Sequence, residues 1–136
     1  IILCHHPWKS TGWHGNSSGN LKKMFDNVVK SYPIDFILAG HDHDMQVINV
    51  GNKTTQIVVG TGAVVREHQP RNPSPNKMLF CEETLGFGKL SLFKTVAHLR
   101  MISPDNTEPI FNTRFLPKST LYTQKRNLSN RKKSLQ

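Results

Sequence analysis

Histidine is concentrated near the start of the chain, and its placement is the first indication of chemistry. Five of the seven histidines lie within the first 43 of 136 residues. His5 and His6 follow a short apolar run, His41 and His43 follow a second one, and His14 lies in the polar segment between them. A lone histidine at such a position is usually structural, but neutral imidazole is a common ligand of zinc and iron. Repeated placement in the frames CHHP and GHDH therefore predicts metal binding.

The segments around these histidines predict a βαβ unit. Residues 1–4 and 34–39 have the composition of buried strands. Between them, apolar residues recur at helical spacing over residues 21–32, after Ser18 or Asn20 as the cap and before Pro33. Strand, helix and strand within about forty residues place both strands parallel in one sheet. Because ligands bind beyond the carboxyl ends of parallel strands, His5 and His41 are expected to meet there.

The second half of the chain is predicted to be rich in β-structure. Residues 45–50 and 53–59 are strand-like and meet at Gly51-Asn52, which indicates a hairpin. Residues 89–94, 96–102 and 110–116 are further strand candidates, with Thr95 either inside a continuous strand or at a bend. Residues 64–77 carry three prolines and predict a surface loop. We expect residues 1–116 to form the folded part and residues 117–136 a basic, flexible tail.

The formal net charge of +9 raises the question of nucleic-acid binding. Seven of the 18 Lys and Arg residues follow residue 108, whereas all nine acidic residues lie within residues 1–108. Residues 1–108 therefore contain 11 basic and nine acidic residues and carry a net charge of only +2. The folded part is therefore not predicted to bind nucleic acid specifically. No apolar run approaches the ~18 residues that cross a bilayer, so no membrane span is expected. Two cysteines are too few to staple a small secreted scaffold, and both are expected to be free thiols.

Three motifs combine the histidines with their neighbours: Ile2-Leu3-Cys4-His5 followed by His6-Pro7, then Gly12-Trp13-His14-Gly15, then Gly40-His41-Asp42-His43. Together they resemble the C-terminal half of calcineurin-like metallophosphoesterases, in particular the purple (tartrate-resistant) acid phosphatase branch. That family continues with a hairpin of the second sheet and a glycine-rich segment, similar to Gly60-Thr61-Gly62 and Gly86-Phe87-Gly88. The resemblance covers roughly residues 1–102. It implies an α/β fold, the C-terminal half of a four-layer α/β/β/α sandwich with mixed sheets.

The resemblance also implies roles for individual histidines. The matched positions bind two metal ions in that family (Fe, Zn or Mn), so His5 and His41 would bind one ion and His43 the other. His14 matches a loop histidine that lies beside the phosphate and protonates the leaving group. The alternative for His14 is an exposed loop histidine beside Trp13.

The neighbours of these histidines leave several alternatives open. His6 directly follows a predicted ligand, so its side chain is expected to point the other way. Asp42 and Asp44 either orient ligand imidazoles or belong to a solvated loop. Lys9 would contact substrate phosphate or be an ordinary surface lysine, and Trp8 would wall the cleft or anchor the loop.

The implied activity is metal-dependent phosphoester hydrolysis by a metal-activated hydroxide, with phosphate monoesters favoured. The substrate would be a phosphorylated small molecule or a phosphoprotein. The sequence leaves the oligomeric state and the compartment open, and the resemblance is compatible with a secreted or lysosomal protein.

The family's N-terminal motifs, which supply a bridging carboxylate and an Asn ligand, have no match in the chain. Together with the apolar first residues, this leads us to expect a fragment that is inactive in isolation. Two alternatives are a catalytically inactive, metal- or partner-binding remnant of the same fold and a basic nucleic-acid-binding protein.

Overall fold

A computed structural model of the chain describes residues 1–51, 53–67 and 76–116. In this part of the chain the elements, in order, are β1 (Ile2–Leu3), α1 (Gly19–Ser31), β2 (Phe36–Ala39), β3 (Met45–Val50), β4 (Thr54–Val59), β5 (Lys77–Glu82), β6 (Phe87–Leu92), β7 (Ala97–Ile102) and β8 (Phe111–Phe115). The predicted tail, most of the proline-rich loop and Asn52 of the predicted turn lie outside the described residues. The helix that the structure describes is neither long enough nor apolar enough to cross a membrane.

The predicted βαβ unit is confirmed. Strands β1 and β2 are parallel partners, and α1 connects them. Ser18 occupies the position that precedes the helix, and the chain leaves the helix at Tyr32, directly before Pro33. Proline has no backbone N–H and fixes its own φ, which explains why the helix ends there.

The predicted hairpin of β3 and β4 is confirmed. It belongs to the same five-stranded sheet as β1 and β2, in the order β1-β2-β4-β3-β5. Strand β4 pairs in parallel with β2 and antiparallel with β3. Its first five residues are all buried, as a central strand covered on both faces requires.

A second sheet contains β6, β7 and β8, in that order and antiparallel throughout. The α/β fold that the sequence predicted is thereby confirmed, with a mixed first sheet and an antiparallel second sheet. Thr95 lies in the turn between β6 and β7, where the Phe93 N–H donates to the carbonyl of Val96 at 2.9 Å. Strand β5 was not predicted, because its six residues are flanked by the proline-rich loop and by Glu83.

Two apolar clusters bind three layers together. One fills the space between the sheets and contains Phe36, Met45, Val47 and Ile57 from the first sheet and Ala97, Leu99 and Met101 from the second. The other packs the opposite face of the first sheet against α1 and contains Trp8, Phe25, Ile37, Ile48 and Val50. The order of layers is therefore α/β/β. The outer helical layer of the predicted four-layer sandwich has no counterpart in residues 1–51, 53–67 and 76–116.

Strand β1 was expected to be fully buried, and this prediction is wrong. Leu3 is 77% exposed and Ile1 is 54% exposed. Among the described strands, β1 pairs with β2 alone and forms one edge of the sheet. Its outward side chains consequently face solvent.

Candidate functional site

The candidate site lies where β1 and β2 end. The parallel ladder continues past both strands, since the Cys4 N–H donates to the Leu38 carbonyl at 3.0 Å and the Gly40 N–H to the His5 carbonyl at 3.1 Å. This pairing brings the next two imidazoles together, with 3.1 Å between His41 Nδ1 and His5 Nε2. His5 and His41 thus meet at the carboxyl ends of β1 and β2, as the sequence predicted.

His41 occupies an unusual backbone conformation. Its φ is +69°, in the left-handed region that residues with a Cβ rarely adopt. Such conformations persist where the surrounding structure enforces them, and they concentrate at functional sites. Here the conformation turns the chain sharply after β2 and places His41 beside His5.

Four of the five N-terminal histidines line one open cavity of about 460 Å³, together with Arg66 and four small or apolar residues: His5, His14, His41, His43, Gly40, Val59, Gly60, Gly62 and Arg66. The chain passes very close to Gly60 here, since a Cβ at this position would lie 2.0 Å from the Asp42 carbonyl oxygen. The Arg66 N–H donates to the His43 carbonyl at 2.9 Å, which holds a cationic residue at the cavity.

Asp42 fixes the orientation of His14. Its carboxylate is fully buried, and Oδ1 accepts from the His14 backbone N–H at 2.8 Å and pairs with His14 Nδ1 at 2.9 Å. The other oxygen, Oδ2, accepts a short hydrogen bond from the Ser10 hydroxyl. An imidazole held through Nδ1 keeps Nε2 for other partners. The solvated alternative for Asp42 and Asp44 is wrong, because both side chains are buried.

Two buried glutamines anchor the loop that carries His14. Gln56 Oε1 accepts from the Trp8 backbone N–H at 3.0 Å, and Gln46 Oε1 accepts from that of Thr11 at 2.9 Å. Gln46 Nε2 in turn donates to Ser10 Oγ at 3.0 Å. Buried amides of this kind stabilise a single arrangement because each lost partner would leave a polar atom unsatisfied. The loop is therefore fixed to the strands beneath it.

The tryptophan of this loop packs inward against α1, and the adjacent lysine lies over its ring. Trp8 is buried against α1 and donates from Nε1 to Asp26 Oδ1 at 2.9 Å, so it anchors the loop. The Lys9 ammonium lies 5.1 Å from the centre of the Trp8 ring, a cation–π distance. Trp13 is half exposed.

The environment of His41 favours its neutral form, which is the form that binds a metal ion. Partial burial, and then the neighbouring charges of His14 and His6, lower the pKa of His41 below its ordinary value of 6.5. His43 Nδ1 is buried and has no hydrogen-bond partner among the described residues. A buried polar atom without a partner costs free energy, which a bound cation would recover. These residues therefore fit the imidazole part of a metal centre.

Both cysteines are free thiols, as predicted. Burial, followed by the negative charges of Asp44 and the adjacent glutamates, raises the pKa of Cys81 to about 12. Cys4 donates from its thiol to the carbonyl of His6 at 3.2 Å. Neither thiol has the low pKa that a nucleophile requires.

Comparison with known proteins agrees with this architecture. No family model matches the sequence. Purple acid phosphatase 3 of Arabidopsis thaliana is 27% identical over 107 residues, which amount to 77% of this chain and 28% of that protein. GAP50, the anchor in the inner membrane complex of Plasmodium, superposes with a TM-score of 0.73 at 23% identity, over 83% of this chain and 35% of that one. The purple acid phosphatase PPD1 from yellow lupin (Lupinus luteus) seeds gives a TM-score of 0.66 at 18% identity, over 84% and 24%. This chain carries part of a calcineurin-like fold.

The chain spans about a quarter to a third of the relatives that it matches. Within this portion of the calcineurin-like fold, the four predicted site histidines come together in one cavity. The assignment of His5 and His41 to one ion and of His43 to another stays a prediction, as does the role of His14.

One expectation about the candidate site is wrong, and several contributors were missed. His6 does not point away, since its ring centre lies 4.2 Å from that of His41. Alternation of side chains holds within an extended strand, whereas β1 ends at Leu3 and the chain bends at His5 and His6. The anchoring residues Ser10, Gln46 and Gln56 and the cavity residue Arg66 carried no signal, because their partners are distant in sequence.

Proposed function

We propose that the protein containing this chain hydrolyses phosphate esters, monoesters foremost, at a centre of two metal ions (Fe, Zn or Mn). The observation that carries this proposal is the shared cavity of His5, His14, His41 and His43, in which His43 Nδ1 is buried without a partner. The similarity to purple acid phosphatase supports the reaction class. The remaining metal ligands would come from a part of the protein outside this chain.

The proposal assigns metal binding to three of the four histidines. His5 and His41 would hold one ion and His43 the other. When bound, two such ions neutralise phosphoryl charge and lower the pKa of a bound water. Arg66 would pair with a phosphoryl oxygen at the edge of the cavity. The open cavity suits a small phosphorylated molecule or a phosphorylated side chain of a protein.

His14 is the candidate proton donor to the leaving group. Asp42 holds the ring through Nδ1, so Nε2 is the atom that would deliver the proton. Asp42 Oδ1 lies 2.9 Å from His14 Nδ1, so this contact fixes the direction of the ring. Asp42 thus acts as a positioning residue for His14.

The test is turnover of an aryl phosphate with manganese, zinc or iron, by the longest polypeptide that carries this chain. We expect His43→Gln to abolish turnover and His14→Gln to lower it by about 10²–10⁴-fold. The matched control is His98→Gln, because His98 lies on β7 and bonds to Asn112 of the second sheet. Undiminished turnover in His43→Gln would contradict the proposal.

The second candidate is a binding module that retains the fold without catalysis. GAP50, whose structure is described as that of an anchor, gives a higher TM-score than the lupin phosphatase. This candidate predicts no turnover of aryl phosphates with any of these metals, even in a polypeptide that contains the rest of the fold.

A further inference from the structure

The position of His6 is the observation that the proposed function does not use. Its ring centre lies 4.8 Å from that of His5 and 4.2 Å from that of His41. The three rings therefore form one group at the end of β1 and β2, which we call the imidazole trio (His5, His6 and His41).

The backbone holds His6 in this position from both sides. The Cys4 thiol donates to the His6 carbonyl, and buried Pro7 follows directly. A residue before proline is confined to extended conformations, which restricts the directions in which its side chain can leave the chain. The orientation of His6 toward the trio is thus built into the bend after β1.

The donor atoms of the trio are close enough to share one cation. One ring nitrogen from each residue lies within 4.8 Å of the others, and no other trio of His, Cys, Asp or Glu in the described ranges satisfies this condition. Zinc bonds to imidazole nitrogen at 2.0–2.1 Å, so tetrahedral ligands stand about 3.3 Å apart. Small rotations of the exposed rings of His5 and His6 would reach that spacing.

The chemistry of the trio selects the ion. Three neutral nitrogen donors suit zinc, cobalt, nickel or copper, whereas calcium and magnesium require oxygen ligands. His5 and His6 are exposed, which leaves a fourth coordination position open to solvent.

We propose that His6 is the third protein ligand of the ion held by His5 and His41, in a three-imidazole site for a borderline divalent cation. In the resemblance, His5 and His41 share an ion without this residue. The inference requires no phosphoesterase activity, because the three ligands lie within this chain and metal binding can be measured directly. The His14 ring centre lies 4.1 Å from that of His41, so His14 borders the trio, but it does not belong to the group whose ring nitrogens all lie within 4.8 Å of one another.

The first experiment is a titration of the full chain with Zn²⁺ against a chromophoric chelator, before and after substitution. We expect His6→Gln to weaken Zn²⁺ binding at least about tenfold, the lower limit seen when support of a metal site is lost. We expect His98→Gln, whose imidazole bonds to Asn112 of the second sheet, to bind like the unsubstituted chain. Zn²⁺ binding by His6→Gln within twofold of the unsubstituted chain would overturn the proposal. So would binding that depends on His43 but not on His6.

The second experiment needs no substitution. In NMR spectra of the histidine rings, stoichiometric Zn²⁺ is expected to shift the ring nitrogens of His5, His6 and His41 together and to leave those of His98 in place. An unshifted His6 in a chain that has bound Zn²⁺ would overturn the assignment. Neither readout depends on turnover, so failure here and failure of the phosphoesterase proposal are distinguishable.

Discussion

At the scale of single residues, the site is organised by one buried carboxylate. Asp42 accepts hydrogen bonds from Ser10, from the His14 backbone and from the His14 ring. It thereby connects the loop after β1 to the turn after β2. An uncharged replacement cannot accept at all of these positions, since an amide presents one oxygen and one NH₂ group.

Asp42→Asn is expected to destabilise the fold by about 1.5–3 kcal/mol, the range for hydrogen bonds to a charged, buried group. Urea unfolding followed by circular dichroism measures the change. Asp105→Asn is the matched control, because Asp105 is exposed. Equal unfolding midpoints for the two variants would show that the buried carboxylate does not hold the loop.

His41 makes the free energy of unfolding depend on pH. Because its pKa is lowered in the folded state, mainly by burial, the unfolded chain binds this proton more tightly. Stability from this residue is complete above about pH 6.5, the ordinary pKa of histidine, and is lost as pH falls toward the lowered value. In the presence of a metal chelator, urea unfolding measures the free energy of unfolding at pH 7.5 and at pH 5. The decrease between these pH values should be smaller for His41→Asn than for the unsubstituted chain. Asparagine is the appropriate replacement because it tolerates positive φ. Parallel pH profiles would refute this assignment.

At the scale of elements, the end of β4 sets how closely the turn after β2 can approach. A Cβ on Gly60 would lie 2.0 Å from the Asp42 carbonyl oxygen, whereas one on Gly62 would meet no atom within 4 Å. The two glycines are two residues apart in the same segment, which makes them a natural pair for comparison.

Gly60→Ala is expected to lower the free energy of unfolding by about 3 kcal/mol, because backbone must move to admit the methyl group. Gly62→Ala should change it by less than about 0.5 kcal/mol. Thermal unfolding of both variants measures the difference. A Gly60→Ala variant as stable as Gly62→Ala would mean that the approach of Asp42 to β4 is looser than described.

The elements that could be predicted were those with a strong local pattern. Helix α1 has apolar residues at helical spacing and a proline behind it, and the β3–β4 hairpin has two alternating runs around a glycine. Strand β5 lacks such a pattern of regularly spaced apolar residues bounded by a turn. The insertion of β4 between β2 and β3 could not be predicted either, since pairing partners in a sheet are chosen by burial and register across long separations.

In the candidate site, too, features with a local sequence pattern could be predicted and features set by long-range contacts could not. His5, His14, His41 and His43 could be named because strand ends and motif spacing are properties of the sequence. The turn of His6 toward His41 depends on where β1 stops, and the boundaries of elements carry little local signal. The support from Gln46 and Gln56 depends on contacts 35 to 48 residues apart along the chain.

At the scale of the whole molecule, most of the net positive charge lies in a segment of the sequence that contains none of the candidate-site residues. Residues 117–136 contain six of the 18 basic residues and no acidic one. If the chain binds nucleic acid through its phosphates, removal of these residues should reduce the slope of log affinity against log salt by as much as about 5. Anisotropy of a labelled DNA duplex, measured for the full chain and for residues 1–116, tests this. His41→Asn should leave the affinity unchanged; a large loss would instead tie nucleic-acid binding to the histidine cavity.

The position of β4 has a consequence for how the molecule assembles. The β3–β4 hairpin is local and can close within microseconds, whereas parallel pairing of β4 with β2 must first bring separated segments together. Gly60 follows β4, and Arg66 lies beyond it, so both reach the cavity only when the hairpin has docked. The cavity is consequently complete only after two non-local steps, the pairing of β1 with β2 across 35 residues and that of β4 with β2 across 19.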